Sequence, residues 1–268
     1  LKPPTGDNAV LFVPVSAAIW LLGGLNVQLA RAAKATDCGG GLPTSAAWLN
    51  SQNSEEDVTM PYAEMQFETL GCLLSIPPGT PPRDGWPILL YLHGSGEAAP
   101  MRIAQALTLH GPLNPHSATI ATNGFIVVAP QLPEPGGDVW ATRSDTIAKL
   151  AADVAGKNHG DRSRQYLTGF SFGGNGALEI GAREPKLWAA LWAVDPPRAA
   201  PPPGDHPIWV SAGARSRAQA ARFAGFMTPE SGARRVLHDA GLNHVETAAN
   251  AYQDSAVYNW LQTHRSAA

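Results

Sequence analysis

The run Gln165-Tyr-Leu-Thr-Gly-Phe-Ser-Phe-Gly-Gly-Asn-Gly176 holds the residues best spaced for chemistry. Gln165 to Thr168 favours a strand, Gly169-Phe-Ser-Phe-Gly173 fits G-x-S-x-G, and Ala177, Leu178 and Ile180 open a helix. A serine pushed out on so sharp a strand-to-helix turn leaves no room for side chains two positions before and after it, where Gly169 and Gly173 stand. The positive end of the following helix favours an anion beside Ser171, as acyl transfer requires. A glycine-rich turn with an incidental serine is the competing use of the same residues.

Such a serine needs a base, amides for the oxyanion and an acid to orient the base. Of the eight histidines, His244 in Gly241-Leu-Asn-His-Val245 is the candidate base, on a loop after the strand Arg234 to Leu237 and ahead of the final helix. His238 is the fallback, and His110, His116, His159, His206 and His264 read as surface residues. The loop His93-Gly-Ser-Gly96 follows the apolar strand Trp86 to Leu92. It points to the Ser95 amide as one oxyanion donor and the Phe172 amide, next after the serine, as the other. His93 reads as a residue that holds this loop. Trp140, Phe170, Phe172, Trp188 and Trp192 are candidates for an apolar substrate wall. Phe170 and Trp140 are assigned to it, and core packing is the competing use of the tryptophans.

These residues have to be positioned by a sheet. Trp86 to Leu92, Phe125 to Ala129, Gln165 to Thr168, Leu191 to Val194 and Ile208 to Ser211 read as buried strands. Candidate helices lie at 101–109, 144–155, 174–183, 217–226 and 255–264. Strands alternating with helices predict an α/β fold with a mainly parallel sheet. Met65 to Ile76 adds one or two strands before the turn region Pro77 to Gly85.

The chain of 268 residues is 44% hydrophobic and 15% charged with a net charge of −3, which leaves a nucleic-acid role without support. Residues 1–59 read as an N-terminal extension and 60–268 as the catalytic domain. The uncharged apolar run 9–25 and the Ala30-Arg-Ala32 triplet resemble an export signal followed by a linker, giving a secreted or periplasmic protein; a buried extension of a cytoplasmic one is the alternative. The run is too short, and too broken by Pro14 and a glycine pair, for a stable membrane span. Cys38 and Cys72 lie outside any metal-spaced cluster, so they either form one disulfide or stay unpaired.

Leu90-Tyr-Leu-His-Gly-Ser-Gly-Glu97, Ile126-Val-Val-Ala-Pro-Gln131, Tyr166 to Gly174, Pro207-Ile-Trp-Val210 and Ala251 to Leu261 together resemble the phospholipase/carboxylesterase-like, "predicted peptidase" branch of the α/β-hydrolase superfamily. The resemblance runs from about residue 60 to the end. It implies a compact serine esterase with no large cap, metal or cofactor, acting on a small-molecule or polymeric ester, and it carries Ser171, His244, Ser95 and Phe172 to their roles. One position departs from it. The family places its acid in the loop matching Ala212-Gly-Ala-Arg-Ser-Arg217, which holds no carboxylate here. Asp195, at the end of the neighbouring strand, is the substitute, with Asp205, Asp239, Glu246 or no acid at all as alternatives. A serine peptidase, or a binding protein that has lost its triad, therefore stands beside the esterase.

Overall fold

A computed structural model describes residues 62–199, 206–226, 235–241 and 243–267. The expected export signal and linker, Cys38, and Asp205 lie outside the described residues.

Eight strands form one mixed sheet: β1 (Ala63–Phe67), β2 (Leu70–Ser75), β3 (Trp86–Leu92), β4 (Ile126–Gln131), β5 (Gly160–Phe170), β6 (Ala190–Val194), β7 (Ile208–Ala212) and β8 (Arg235–Asp239). Their spatial order is β1-β2-β4-β3-β5-β6-β7-β8. β1 and β2 form an antiparallel hairpin, β2 runs antiparallel to β4, and all pairings from β4 onward are parallel. The helices are α1 (Ile103–Leu107), α2 (Ala118–Thr122), α3 (Ser144–Lys157), α4 (Phe172–Arg183), α5 (Ala214–Arg217), α6 (Ala220–Phe226), α7 (His244–Gln253) and α8 (Ser255–Gln262). Among the described residues no block of helices is inserted over the sheet.

Both faces of the parallel strands are covered, so these strands read as continuous apolar runs rather than alternating ones. Alternate residues of one strand feed two separate cores. Leu89 and Tyr91 join Val127, Tyr166 and Trp192 with Tyr252, Tyr258 and Leu261 of α7 and α8. Ile88, Leu90 and Leu92 join Val128, Leu167 and Leu191 with Leu150 and Val154 of α3 and Ile180 of α4. A one-residue slip of β3 would exchange these two sets, so the register is fixed by burial on both sides.

After β3 the chain moves outward to β4 and then crosses back to β5 on the other side of β3. The C-terminal ends of β3 and β5 thus flank the point where the winding reverses, the place where parallel sheets open a crevice.

Two differences from the sequence reading bear on the site. The expected helix 217–226 begins at Ala220 as α6, and a separate turn, α5, precedes it with the Arg215 and Ser216 amides bonded to Asp195. His244 is not on a loop: it is the first residue of α7. Asn243 caps that helix, its side-chain Oδ1 accepting from the Glu246 backbone amide at 2.8 Å while its Nδ2 donates to Glu246 Oε2 at 3.0 Å.

Candidate active site

Ser171 lies between the last residue of β5 and the first of α4, with φ 56° and ψ −120°. This left-handed conformation costs a non-glycine residue on the order of 1–3 kcal/mol and must be imposed by its surroundings. The Ser171 amide donates to the Val194 carbonyl at 2.9 Å, and its carbonyl accepts from Asn175 at 3.1 Å. Glycine does the rest. A Cβ on Gly169 would strike the Gly173 carbonyl, and one on Gly173 would strike the Leu92 carbonyl. Serine at a helix N-cap commonly bonds back to its own helix, but Ser171 makes no such bond, so its hydroxyl is not spent on capping.

The loop after β3 is pinned from behind. His93 is fully buried, and its Nδ1 faces the Gly94 carbonyl at 2.7 Å while Nε2 faces the Leu132 amide at 3.0 Å. Those partners fix the tautomer: Nδ1–H donates and Nε2 accepts. Burial lowers the His93 pKa to about 4, so the ring stays neutral, as this pattern requires. Trp140 donates its indole N–H to the His93 carbonyl at 2.9 Å. Gln131 Nε2 donates to the carbonyls of Glu97 and Met101, each at 2.9 Å. Gly94 is thereby held against the serine, close enough that a Cβ on it would lie 3.4 Å from Ser171 Cβ.

His244 Nδ1 lies 2.6 Å from Asp195 Oδ2. Asp195 follows β6, is fully buried and has φ 40°. Its Oδ1 accepts from the Gly213 amide at 3.0 Å, the Ser216 amide at 2.8 Å and the Ser216 hydroxyl at 2.6 Å, and its Oδ2 accepts from the Arg215 amide at 3.2 Å. Burial alone would raise the Asp195 pKa, but the hydrogen bonds from His244, Ser216 and Arg215 outweigh it and hold the carboxyl below its ordinary range. A carboxylate so held keeps the proton of His244 on Nδ1 and leaves Nε2 as the basic nitrogen. The other carboxylates are engaged elsewhere: Asp239 pairs with Arg217, and Glu246 completes the α7 cap. His238 is exposed on β8, against Trp209.

Ser171 and His244 line one cleft of about 250 Å³, with Ser95 and Gly96 on one side and Phe170, Met101, Leu109 and Val245 on the others. The Phe170 ring lies 4.5 Å from that of His244 and 5.1 Å from that of His110, centre to centre. Phe170 therefore lines the cleft, though only 3% of it is exposed. Trp140 does not: it is fully buried in the core beneath α4, its size and its N–H both used to support the His93 loop. Trp188 and Trp192 are likewise core residues, the second donating to Ser211 Oγ at 3.0 Å.

Two cleft residues escaped the sequence reading. Glu97 is 4% exposed and His110, expected at the surface, is only partly so. Position Glu97 directly after His-Gly-Ser-Gly was a usable signal; nothing local to His110 was. Among the described residues no group of histidine, cysteine and acidic side chains is arranged to hold a metal, and no helix is long and apolar enough to cross a membrane. Cys72 is buried on β2, and desolvation pushes its thiol pKa up to about 12.

No protein-family profile matches the chain, and no curated protein matches its sequence. Solved structures do. A thermostable esterase is 17% identical with a TM-score of 0.62 over 76% of this chain, which spans only 63% of that longer protein. The S-formylglutathione hydrolase of Agrobacterium tumefaciens is 15% identical with a TM-score of 0.50, covering 75% of this chain and 94% of its own. A feruloyl esterase module from Clostridium thermocellum, solved with sinapinate, is 12% identical with a TM-score of 0.52, covering 76% and 86%. At such identities the likeness is one of architecture, and with the strand order and the serine turn at the end of β5 it establishes that this chain has the α/β-hydrolase fold.

Proposed function

We propose that the protein is a serine carboxylic-ester hydrolase. The observation that carries this reading is the convergence of Ser171 and a carboxylate-bonded His244 on one cleft, with His244 Nδ1 2.6 Å from buried Asp195. The esterase and S-formylglutathione hydrolase names of its structural neighbours support it. In this reading Ser171 Oγ attacks the ester carbonyl and His244 Nε2 takes the hydroxyl proton. The Ser95 and Phe172 amides hold the oxyanion, Phe172 as the first residue of α4 with an amide that no helical carbonyl claims. His244 then returns the proton to the leaving alcohol, and water activated by the same imidazole releases the acid. Asp195 orients the imidazole and stabilises its charged form. The bond between Asp195 and His244 supports the esterase over the binding protein, whose argument was an absent acid.

The test is hydrolysis of p-nitrophenyl butyrate by the wild type and Ser171→Ala, with fluorophosphonate labelling alongside. Ser171→Ala is expected to lower kcat by roughly 10⁵- to 10⁶-fold and to abolish labelling. Equal rates for the two proteins would overturn the proposal. We further propose that residues 1–59 are an N-terminal extension, an export signal to about residue 32 followed by a linker, ahead of a catalytic domain from residue 60. Intact mass of exported protein beginning near Ala33 would support that, and retention of the whole run would remove it.

A further inference from the structure

The esterase mechanism leaves one acidic group of the cleft unused. Glu97 lines the same cleft as Ser171 with 4% of its surface exposed. Its Oε2 accepts the Gly96 amide at 3.0 Å. His93 Nδ1 is 4.0 Å from the same oxygen, but its proton is already given to the Gly94 carbonyl. Oε1 faces His110 Nε2 across 3.8 Å, beyond hydrogen-bond reach. Among the described residues no lysine or arginine lines this cleft.

A gap of this width between a buried carboxyl oxygen and a half-buried ring nitrogen is one that a small polar group bridges. The chemistry selects the group. Burial lowers the His110 pKa and favours its neutral ring, and a neutral ring turned toward a carboxyl group puts its proton on Nε2. The site then offers one acceptor, Glu97 Oε1, and one donor, His110 Nε2–H. A hydroxyl satisfies both at once, accepting from His110 and donating to Glu97. An ammonium would set its own N–H against that of His110, and a carboxylate would meet Glu97 with like charge. Around the pair the walls are apolar, from Met101, Leu109, Val245 and Phe170.

From this geometry we propose that Glu97 and His110 form a hydroxyl-recognition subsite, so that the preferred substrates are carboxylic esters carrying a hydroxyl on an otherwise apolar acyl or alcohol group. The proposal rests on the esterase reading and names its substrate class. A site built to bond a substrate hydroxyl discriminates strongly against the analogue lacking it, because its own buried polar atoms are then left unpaired.

The test is kcat/KM on three matched pairs: methyl 3-hydroxybutyrate against methyl butyrate, methyl 4-hydroxyphenylacetate against methyl phenylacetate, and 2-hydroxyethyl butyrate against propyl butyrate. The wild type is expected to favour the hydroxylated member of at least one pair by about tenfold or more. In His110→Phe, which keeps a ring against Phe170, and in Glu97→Gln, which turns an N–H₂ toward His110, that ratio should fall to within about twofold of one. Should one variant fail to fold, the other decides. Ratios near one for every pair in the wild type would overturn the subsite, as would a preference that both variants leave intact. Hydrolysis by Ser171→Ala at the wild-type rate would instead bring down the esterase reading itself.

Discussion

Ser171 and Asp195 occupy matching places and are held in opposite ways. Each follows the last residue of a parallel strand, β5 or β6, and each has a left-handed φ, 56° and 40°. Ser171 takes its turn from its own neighbours in sequence: Gly169 and Gly173, with no Cβ, let β5 run closely into α4, and only its amide reaches a distant partner, the Val194 carbonyl. Asp195 is fixed from a distance, by amides of Gly213, Arg215 and Ser216, in the segment after β7 that turns into α5. That segment lacks an acid, but it has become the cradle of one. The difference teaches that one feature of a site can be written in five residues while its partner is written in strands brought together only by folding.

Breaking the local side should have the largest effect. A Cβ at Gly173 meets the Leu92 and His93 carbonyls, which are backbone atoms that no rotamer change moves. Gly173→Ala is expected to give little or no folded soluble protein, measured by yield and near-ultraviolet circular dichroism. Native-like yield and activity would show that the elbow can relax.

The distant side should break more selectively. Asp195→Asn replaces an acceptor of five hydrogen bonds with a group that turns an N–H₂ toward donors, and it lets His244 take the wrong tautomer. A fall in kcat of about 10⁴-fold is expected from the lost orientation. A near-wild-type rate in a folded variant would remove Asp195 from the mechanism.

The same contrast explains what was legible in the sequence. The serine turn, the β3 strand and its His-Gly-Ser-Gly loop carry local patterns, glycine spacing and continuous apolar runs, and the structure places them where those patterns point. Asp195 was reachable only because an expected carboxylate was missing one strand away. Two features failed for different reasons. Trp140 has the composition of a ligand wall, and nothing local tells that its N–H is claimed by a carbonyl of residue 93. The α7 start did carry a signal, Asn243 followed three residues later by Glu246, but its buried Thr247, Ala248, Ala251 and Tyr252 are too mixed in polarity to read as a stripe. His110 reaches the cleft through tertiary packing on Phe170 and has no motif at all.

The end of β3 lies between the two cases, held by a local residue whose partners are both near and far. His93 donates to its neighbour Gly94 and accepts from Leu132, and the second bond needs the neutral ring. Its pKa, lowered from 6.5 to about 4 by burial, means that between those values the unfolded chain binds a proton the folded one refuses. Stability is therefore whole above about pH 6.5 and falls as pH drops toward 4, by about 3 kcal/mol in all. Urea midpoints measured between pH 4 and 7 should show this slope in the wild type, and a flat profile would show that His93 is protonated in the native state.

The smallest effect sharpens the comparison most. Ser216→Ala removes the hydroxyl 2.6 Å from Asp195 Oδ1 and keeps the amides of Gly213, Arg215 and Ser216 itself. The lost bond goes to a charged group, so the expected cost is about 1.5–3 kcal/mol of stability, with kcat only a few-fold lower because Oδ2 still holds His244. The sign of the pH effect follows from the same bond. The folded Asp195 pKa is depressed, so its contribution is present above the unfolded value of about 3.8 and is lost as pH falls through the folded value. Taking away a bond to the carboxylate raises the folded pKa, which shrinks that contribution at neutral pH and moves its loss to higher pH. Acid unfolding of Ser216→Ala should thus begin at a higher pH than in the wild type. An unchanged acid midpoint would mean that the backbone amides alone hold the acid, and that the β7 loop fixes Asp195 by its path rather than by its side chains.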